Sequence, residues 1–179
     1  KVQAELEGSM EAVARLMLDF AGYDKWYWQV LESKLLKQVS PTEYVVYVVH
    51  RAPAGLPERD VVLRGVVVPQ TRSQKMLTLR IVADPDFLPV KPPRVRMPAQ
   101  EITSRFQPLD NGKVLLETEG YVDPGGKVPL WAANFVQRSA PYAIVVAMQR
   151  RLQSGDYDQG KPLPFPVYGS ADYRQTVSR

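Results

Sequence analysis

Asp123-Pro124-Gly125-Gly126-Lys127-Val128-Pro129-Leu130-Trp131-Ala132-Ala133-Asn134-Phe135 is the stretch around which the rest of the chain is arranged. Val114 to Val122, just before it, has the composition of a strand closing a long β-rich region, and the longest helical pattern in the chain follows it. Pro124 fixes one φ while Gly125 and Gly126 permit the unusual ones, which is what a sharp turn requires. Pro129 suits the first turn of a helix, where its missing N–H costs nothing. The stretch is a joint that aims a helix back over a sheet.

Downstream, Leu130 to Leu152 reads as that helix. Trp131, Phe135, Tyr142, Val145, Met148 and Leu152 fall on one stripe, with Ala132, Val136, Ala140, Ala143 and Ala147 beside it. This predicts a wide, bulky apolar face turned to the sheet, and Pro141 should kink or break the helix. Residues 154–179 read as a proline-containing tail, laid on the surface by Phe165 and Tyr168, so that the domain proper spans 1–153.

Upstream, Lys1 to Leu6 alternates like a short strand, and Ser9 can cap a helix running to about Ala21, with Val13, Leu16, Met17 and Phe20 on its buried face. The aromatic run Tyr23 to Trp28 either plugs one end of the core or lines a pocket mouth. Val30 to Val39, Glu43 to His50, Asp60 to Val68, Lys75 to Ala83, Val95 to Gln107 and Lys113 to Val122 read as antiparallel strands, the last two joined at Asp110-Asn111-Gly112. Tyr44 to Val49 and Val61 to Val68 are apolar on both faces, so something must cover the second face of the sheet. Asp84 to Pro93, with four prolines, is expected to be an exposed or mobile connection. The fold class is α+β: an antiparallel sheet wrapped around a long C-terminal helix. A filled core and an enclosed cavity both fit this pattern. The proline in the helix and the charges inside apolar strands, Arg59, Asp60, Arg64, Arg80, Arg96 and Glu117, favour a cavity.

Composition narrows the chemistry. There is no cysteine and one histidine among 179 residues, which excludes disulfides, thiol catalysis and a multi-histidine metal site. The formal charge of +4 comes from scattered basic residues, so no nucleic-acid partner is expected. No run approaches a membrane span. The chain opens at Lys1 without a methionine, which fits a processed or a trimmed chain, and a soluble cytoplasmic or periplasmic molecule is expected. His50 has no acid signature beside it, and Glu117 with Glu119 has the spacing of a solvated strand face. No catalytic constellation emerges, and neither metal nor cofactor is implied.

The segment Asp123 to Trp131, with Asn134 and Pro141 after it, resembles the Asp-Pro-Gly-Gly-x-Ile-Pro-x-Trp…Asn…Pro signature of START (StAR-related lipid-transfer) domains, particularly bacterial ones. Asp19 to Trp26, Pro57-Glu58-Arg59-Asp60 and Val95-Arg96-Met97 are similar to three further landmarks of that family, in order. The resemblance implies a helix-grip fold whose C-terminal helix closes a hydrophobic tunnel over one lipid, fatty acid or sterol-like molecule, without covalent chemistry. It places Arg59 at a ligand head group and Leu130 to Phe135 in a lid. With the apolar stripe, it makes Arg59, Arg96, Trp131, Asn134, Phe135, Tyr142 and Val145 the expected ligand contacts. Relatives often carry an arginine where this chain has Gly65, and Arg64 beside it addresses the opposite strand face. Sterol-type relatives carry an acid at a depth where Glu43 to His50 offers none. The expected protein is a monomeric lipid carrier or sensor, with Arg138, Arg150 and Arg151 aiding transient membrane contact. The alternatives are a polyketide-type cyclase or aromatase on the same fold, and an interaction module with a filled core.

Overall fold

The computed structural model describes residues 1–174. Element order is β1 (Val2–Glu7), α1 (Met10–Leu18), a 3₁₀ turn (Phe20–Lys25), β2 (Val30–Ser40), β3 (Glu43–His50), β4 (Arg59–Val68), β5 (Leu77–Ala83), β6 (Val95–Arg96), β7 (Ala99–Pro108), β8 (Lys113–Asp123), α2 (Leu130–Gln153) and α3 (Ser170–Arg174). The strands form one sheet in the order β1-β8-β7-β5-β4-β3-β2, antiparallel throughout except that β6 runs parallel to the start of β4. The expected α+β arrangement is what forms.

The single strand expected from Val95 to Gln107 is two. Pro98 has no N–H to give a ladder, and on either side of it the chain changes neighbour: Arg96 pairs with Asp60 of β4, Ile102 with Ile81 of β5. The first helix is also shorter than its apolar pattern. Ser9 Oγ accepts the Ala12 N–H at 3.0 Å as the N-cap, but α1 ends at Leu18 and the chain tightens into the 3₁₀ turn.

Cross-strand register sorts the strand residues onto two faces, because directly opposed residues point the same way. Val46, Leu63 and Ala83 share the inner face with Val48, Val61, Ile81, Phe106 and Leu116. They form the main core with Leu6 and with Met10, Val13 and Leu16 of α1. Val45, Tyr47, Val49 and Val62 point outward and form a second, smaller cluster with Leu36 and Leu88.

Leu88 shows what covers the second face: the Asp84 to Pro93 loop. It is fastened, not free. Arg96 Nη1 donates to the carbonyls of Pro85 and Leu88, both at 2.7 Å, while its Nε and Nη2 hold Asp60 at 2.9 and 3.0 Å.

The helix α2 continues through Pro141 as one segment. Its C-terminal half is locked to β1: the Gln149 side chain accepts the Glu7 N–H at 2.8 Å and donates to the Glu7 carbonyl at 3.1 Å. Met148 and Leu152 are buried there, with Ile144, Val145 and Ala147 packed on the core. The N-terminal half differs from the expectation of a bulky inward face. Leu130, Trp131, Phe135 and Tyr142 are 77, 56, 51 and 76% exposed, whereas Ala132 is wholly buried. Ala132 of the small-residue stripe is buried and Val136, Ala140 and Ala143 are half-buried, whereas the aromatic stripe is in solvent.

Residues 154–174 are no loose tail. Tyr157, Phe165 and Tyr173 are buried, and Leu163 and Val167 pack on the core.

Candidate ligand-binding site

The inner face has an apolar end and a polar end. At the apolar end lies a cavity of about 60 Å³ between α1 and the middle of the sheet. Its walls are Met10, Val13, Ala14, Met17 and Leu18 of α1, the turn residues Phe20 and Tyr23, and inner-face residues of β3, β4, β5 and β7, with Phe165 from the C-terminal segment. No wall residue is charged. The two tyrosines among them do not offer their hydroxyls, since Tyr23 Oη donates to the Met17 carbonyl and Tyr44 Oη to the Pro41 carbonyl. Burial pushes the Tyr23 phenol well above its ordinary value, with Tyr27 and the Asp19 carboxylate adding to it, so it stays neutral.

Gly65 contributes to this cavity by having no side chain. A Cβ there would meet only Leu79 Cδ1, at 3.8 Å. Arg64, its neighbour, points outward to Glu43 at 2.8 Å and Asp84 at 3.3 Å. The offset between Arg64 and Gly65 noted in the sequence thus removes a guanidinium from the cavity and spends it on the outer face.

The polar end lies along the same strand. Arg59 opposes His50 in the β3–β4 ladder and shares the inner face with Val61 and Leu63. From Arg59 to Leu63, the nearest β4 residue of the cavity wall, is about 13 Å along the strand, and to Val67 about 26 Å. Arg59 is 5% exposed and has no carboxylate partner among the described residues. Its guanidinium is held by carbonyl oxygens only: Pro57 at 2.6 Å, Gly125 at 3.3 Å and Pro124 at 3.4 Å. Burial draws its pKa down from the ordinary arginine value. The two long bonds go to the joint between β8 and α2, so the cation also fastens that joint.

His50 is neutral at this end. Burial lowers its pKa from 6.5 to about 4, against a smaller opposing effect of a hydrogen bond with the Trp28 main chain. Tyr27 lies edge-on to it, ring centres 6.4 Å apart. Trp28, next in the chain, meets the N-terminal half of α2: its ring centre is 6.3 Å from that of Phe135.

The residues expected to meet a ligand therefore separate. Arg59 and Val145 face the interior. Trp131, Asn134, Phe135 and Tyr142 lie on the exposed side of α2, with only Phe135 reaching back to Trp28. Hydrophobicity favoured that stripe, but in the N-terminal half of α2 the fully buried residue is the small Ala132. Arg96 lies on the outer face with its donors taken by Asp60 and the loop carbonyls. Glu117 and Glu119 are also outward, Arg105 meeting Glu119 at 2.8 Å. The cavity walls on α1, and Phe165 above all, went unrecognised. The α1 periodicity pointed to a buried face without saying what it faced. Among the described residues no group of acidic, histidine or cysteine side chains could hold a metal ion, and no helix is long and apolar enough to cross a membrane.

This architecture, an antiparallel sheet gripping a long C-terminal helix behind an Asp-Pro-Gly-Gly hinge, is the START-domain helix grip. The solved STAR-related lipid transfer protein of Xanthomonas axonopodis matches it with a TM-score of 0.75 and 26% identity, over 84% of this chain and 83% of that one. Human STARD10 matches at 0.73 with 18% identity, over 95% of this chain and 74% of that one. The fold extends to the aromatase/cyclase di-domain protein BexL of the BE-7585A biosynthetic pathway, at 0.54 and 14% identity, over 90% of this chain and 50% of that one. In sequence, an uncharacterized protein of Pseudomonas aeruginosa is 26% identical over 137 residues, 76% of this chain and 66% of that protein, so the chain spans just under two thirds of its length. No protein-family model matches the chain.

Proposed function

We propose that this chain is a non-catalytic carrier or sensor for a lipid or similar apolar molecule, held singly between the sheet and the helices. The observation that carries the reading is the cavity wall: apolar throughout, with both of its phenols bonded to main-chain carbonyls. Such a space retains hydrocarbon by excluding water, each buried methylene contributing about 0.8 kcal/mol, and offers no group that could move a proton. The carboxylates and the imidazole that a cyclase would need stand elsewhere, on the outer face and at the Arg59 end respectively. The likeness to lipid-transfer proteins supports the same reading.

Arg59 supplies polarity to this scheme. A buried guanidinium bonded only to carbonyls has unspent attraction for an anion, so a carboxylate or phosphate head is assigned to Arg59 and its chain to the line of β4 toward the cavity. Arg59 does not line that cavity, so the interior must widen to admit such a ligand. An anion on Arg59 would compete with the Pro124 and Gly125 carbonyls and so loosen the hinge. The lid is built for contact with a bilayer during exchange: the exposed stripe of Leu130, Trp131, Phe135 and Tyr142 lies on a helix that carries Arg138, Arg150 and Arg151 and no acidic residue. Aromatic side chains suit the membrane interface and arginines its anionic lipids.

Native mass spectrometry of the purified chain, before and after incubation with mixed bacterial phospholipids and fatty acids, tests the proposal. One apolar adduct per chain is expected, reduced in Gly65→Leu, which puts a side chain into the cavity. Arg59→Met should weaken a fatty acid more than the corresponding alcohol. Neither copurified nor exchangeable apolar ligand would overturn the reading.

A further inference from the structure

The C-terminal segment closes the cavity at the end away from the lid, and it is held in an unusual way. At its start Arg15 of α1 donates to the carbonyls of Tyr157 and Asp158 at 3.2 and 3.1 Å, and Tyr157 Oη donates to Asp19 at 2.7 Å. At its end Gln70, in the loop between β4 and β5, accepts the Tyr168 N–H at 2.8 Å and donates to its carbonyl at 3.0 Å. Tyr173 Oη donates to the carbonyls of Thr71 and Gln74 at 2.9 and 3.1 Å. Between these two anchors, residues 159–167 make no hydrogen bond among the described residues. Pro162, Pro164 and Pro166 have no N–H to give. The segment bends at Lys161 and at Pro164-Phe165, and burial alternates along it, with Leu163, Phe165 and Val167 inward and the three prolines exposed. Phe165 enters the cavity wall and is 7% exposed.

We infer that this strap is a second mouth of the cavity and that Phe165 is its plug, setting how long an alkyl chain the site admits. The inference rests on the proposed lipid-binding reading and deepens it. A span pinned at both ends, with no hydrogen bonds between, opens as a unit when its inward side chains leave. The space that Phe165 vacates continues the line of inner-face residues running from Arg59 through Leu63 to Val67. The matching ligand is a flexible, unbranched chain with a polar head. The terminal walls, Met10, Met17, Leu18 and Phe20, offer no polar group to meet a second one, and the methionines adapt to a chain of variable length. The anchors act on rate and the plug on length, because Tyr173 and Gln70 do not line the cavity while Phe165 does.

The test uses the full chain with a fluorescent fatty acid as reporter, displaced by a homologous series of saturated fatty acids. Phe165→Ala, and Phe165→Leu as the milder variant, should move the preferred length to longer chains, each further methylene admitted adding about fourfold in affinity. Tyr173→Phe should leave the length profile unchanged and speed release of the reporter, by about fivefold for the lost bonds. Circular dichroism confirms that each variant is folded. If the folded Phe165 variants bind the series with the wild-type length profile, the plug is refuted while lipid binding stands. If no form of the protein binds any member of the series, the proposed function falls and this inference with it.

Discussion

His50, the one histidine of the chain, gives a prediction in which one side chain can be followed alone. Its folded pKa of about 4 lies below the 6.5 of an unperturbed imidazole because burial penalises the charged form, with only a smaller opposing effect of the hydrogen bond with the Trp28 main chain. The unfolded chain therefore binds the proton first. The contribution to stability is full above about pH 6.5 and lost as the pH falls toward 4. The gap, at 1.36 kcal/mol per pH unit, corresponds to about 3 kcal/mol, of which about 2 kcal/mol is gone by about pH 5, before most carboxylates titrate. Urea unfolding at a series of pH values from about 8 to 5 measures it. The wild type should lose about 2 kcal/mol more than His50→Gln, whose amide does not titrate, and the imidazole proton resonance should stay in its neutral position down to about pH 5. Equal pH slopes in the two proteins, or an imidazole titrating near 6.5, would refute the reasoning.

Two further predictions concern the outer face and the hinge. Arg96→Ala leaves the fully buried Asp60 without its main partner and should cost about 3–5 kcal/mol, seen as a lower urea midpoint together with faster proteolysis in the released Asp84 to Pro93 loop. Burial by itself would raise the Asp60 pKa, but hydrogen bonds from Arg96 and Tyr47 outweigh it and hold it low. The wild-type advantage over Arg96→Ala should therefore be full at neutral pH and shrink on acidification, first as the variant's Asp60, no longer held low by the guanidinium, takes up its proton, and then below about 4 as the wild type loses its own ionised pair. An unchanged midpoint at neutral pH would contradict this. At the hinge, Gly125 has φ +65° and an added Cβ would lie 2.9 Å from the Arg96 carbonyl oxygen, whereas Gly112 has φ +80° and nothing within 4 Å. Changing either to Ala costs about 1–2 kcal/mol for the left-handed backbone. Only Gly125→Ala should cost more, and equal thermal shifts in the two variants would show that the hinge is not seated against β6.

The turn at Pro124 to Gly126, the strand sequence and the α+β class were legible because local chemistry determines them: a proline and two glycines permit few conformations, and period-two runs separated by turn residues have few pairings. The roles of Arg59 and Arg96 were not separable by type. Both are buried arginines on neighbouring strands. Only the register tells that one lies on the inner face and the other meets the Asp60 carboxylate on the outer one. The orientation of α2 was illegible for another reason. Apolar residues lie on all its sides, so hydrophobicity selects no face, and the choice falls to the tertiary anchors at its ends, Gln149 on β1 and Arg59 on the turn before Leu130. Lys161 to Val167 looked like a surface tail because alternating prolines suppress hydrogen bonding, yet the same alternation aims Leu163, Phe165 and Val167 inward. Periodicity was present there, in a segment too rich in proline to be read as an element.

The contact between Trp28 and Phe135 makes the molecule its own optical reporter. Of its three tryptophans, Trp26 is buried among aromatics, Trp28 sits under the lid and Trp131 rides on the lid in solvent. Lifting the lid would expose the second to quencher, and settling it onto a lipid surface would shift the emission of the third to shorter wavelength. The two halves of the proposed carrier cycle could thus be distinguished in unlabelled protein, one by the quenching of its fluorescence and the other by its colour.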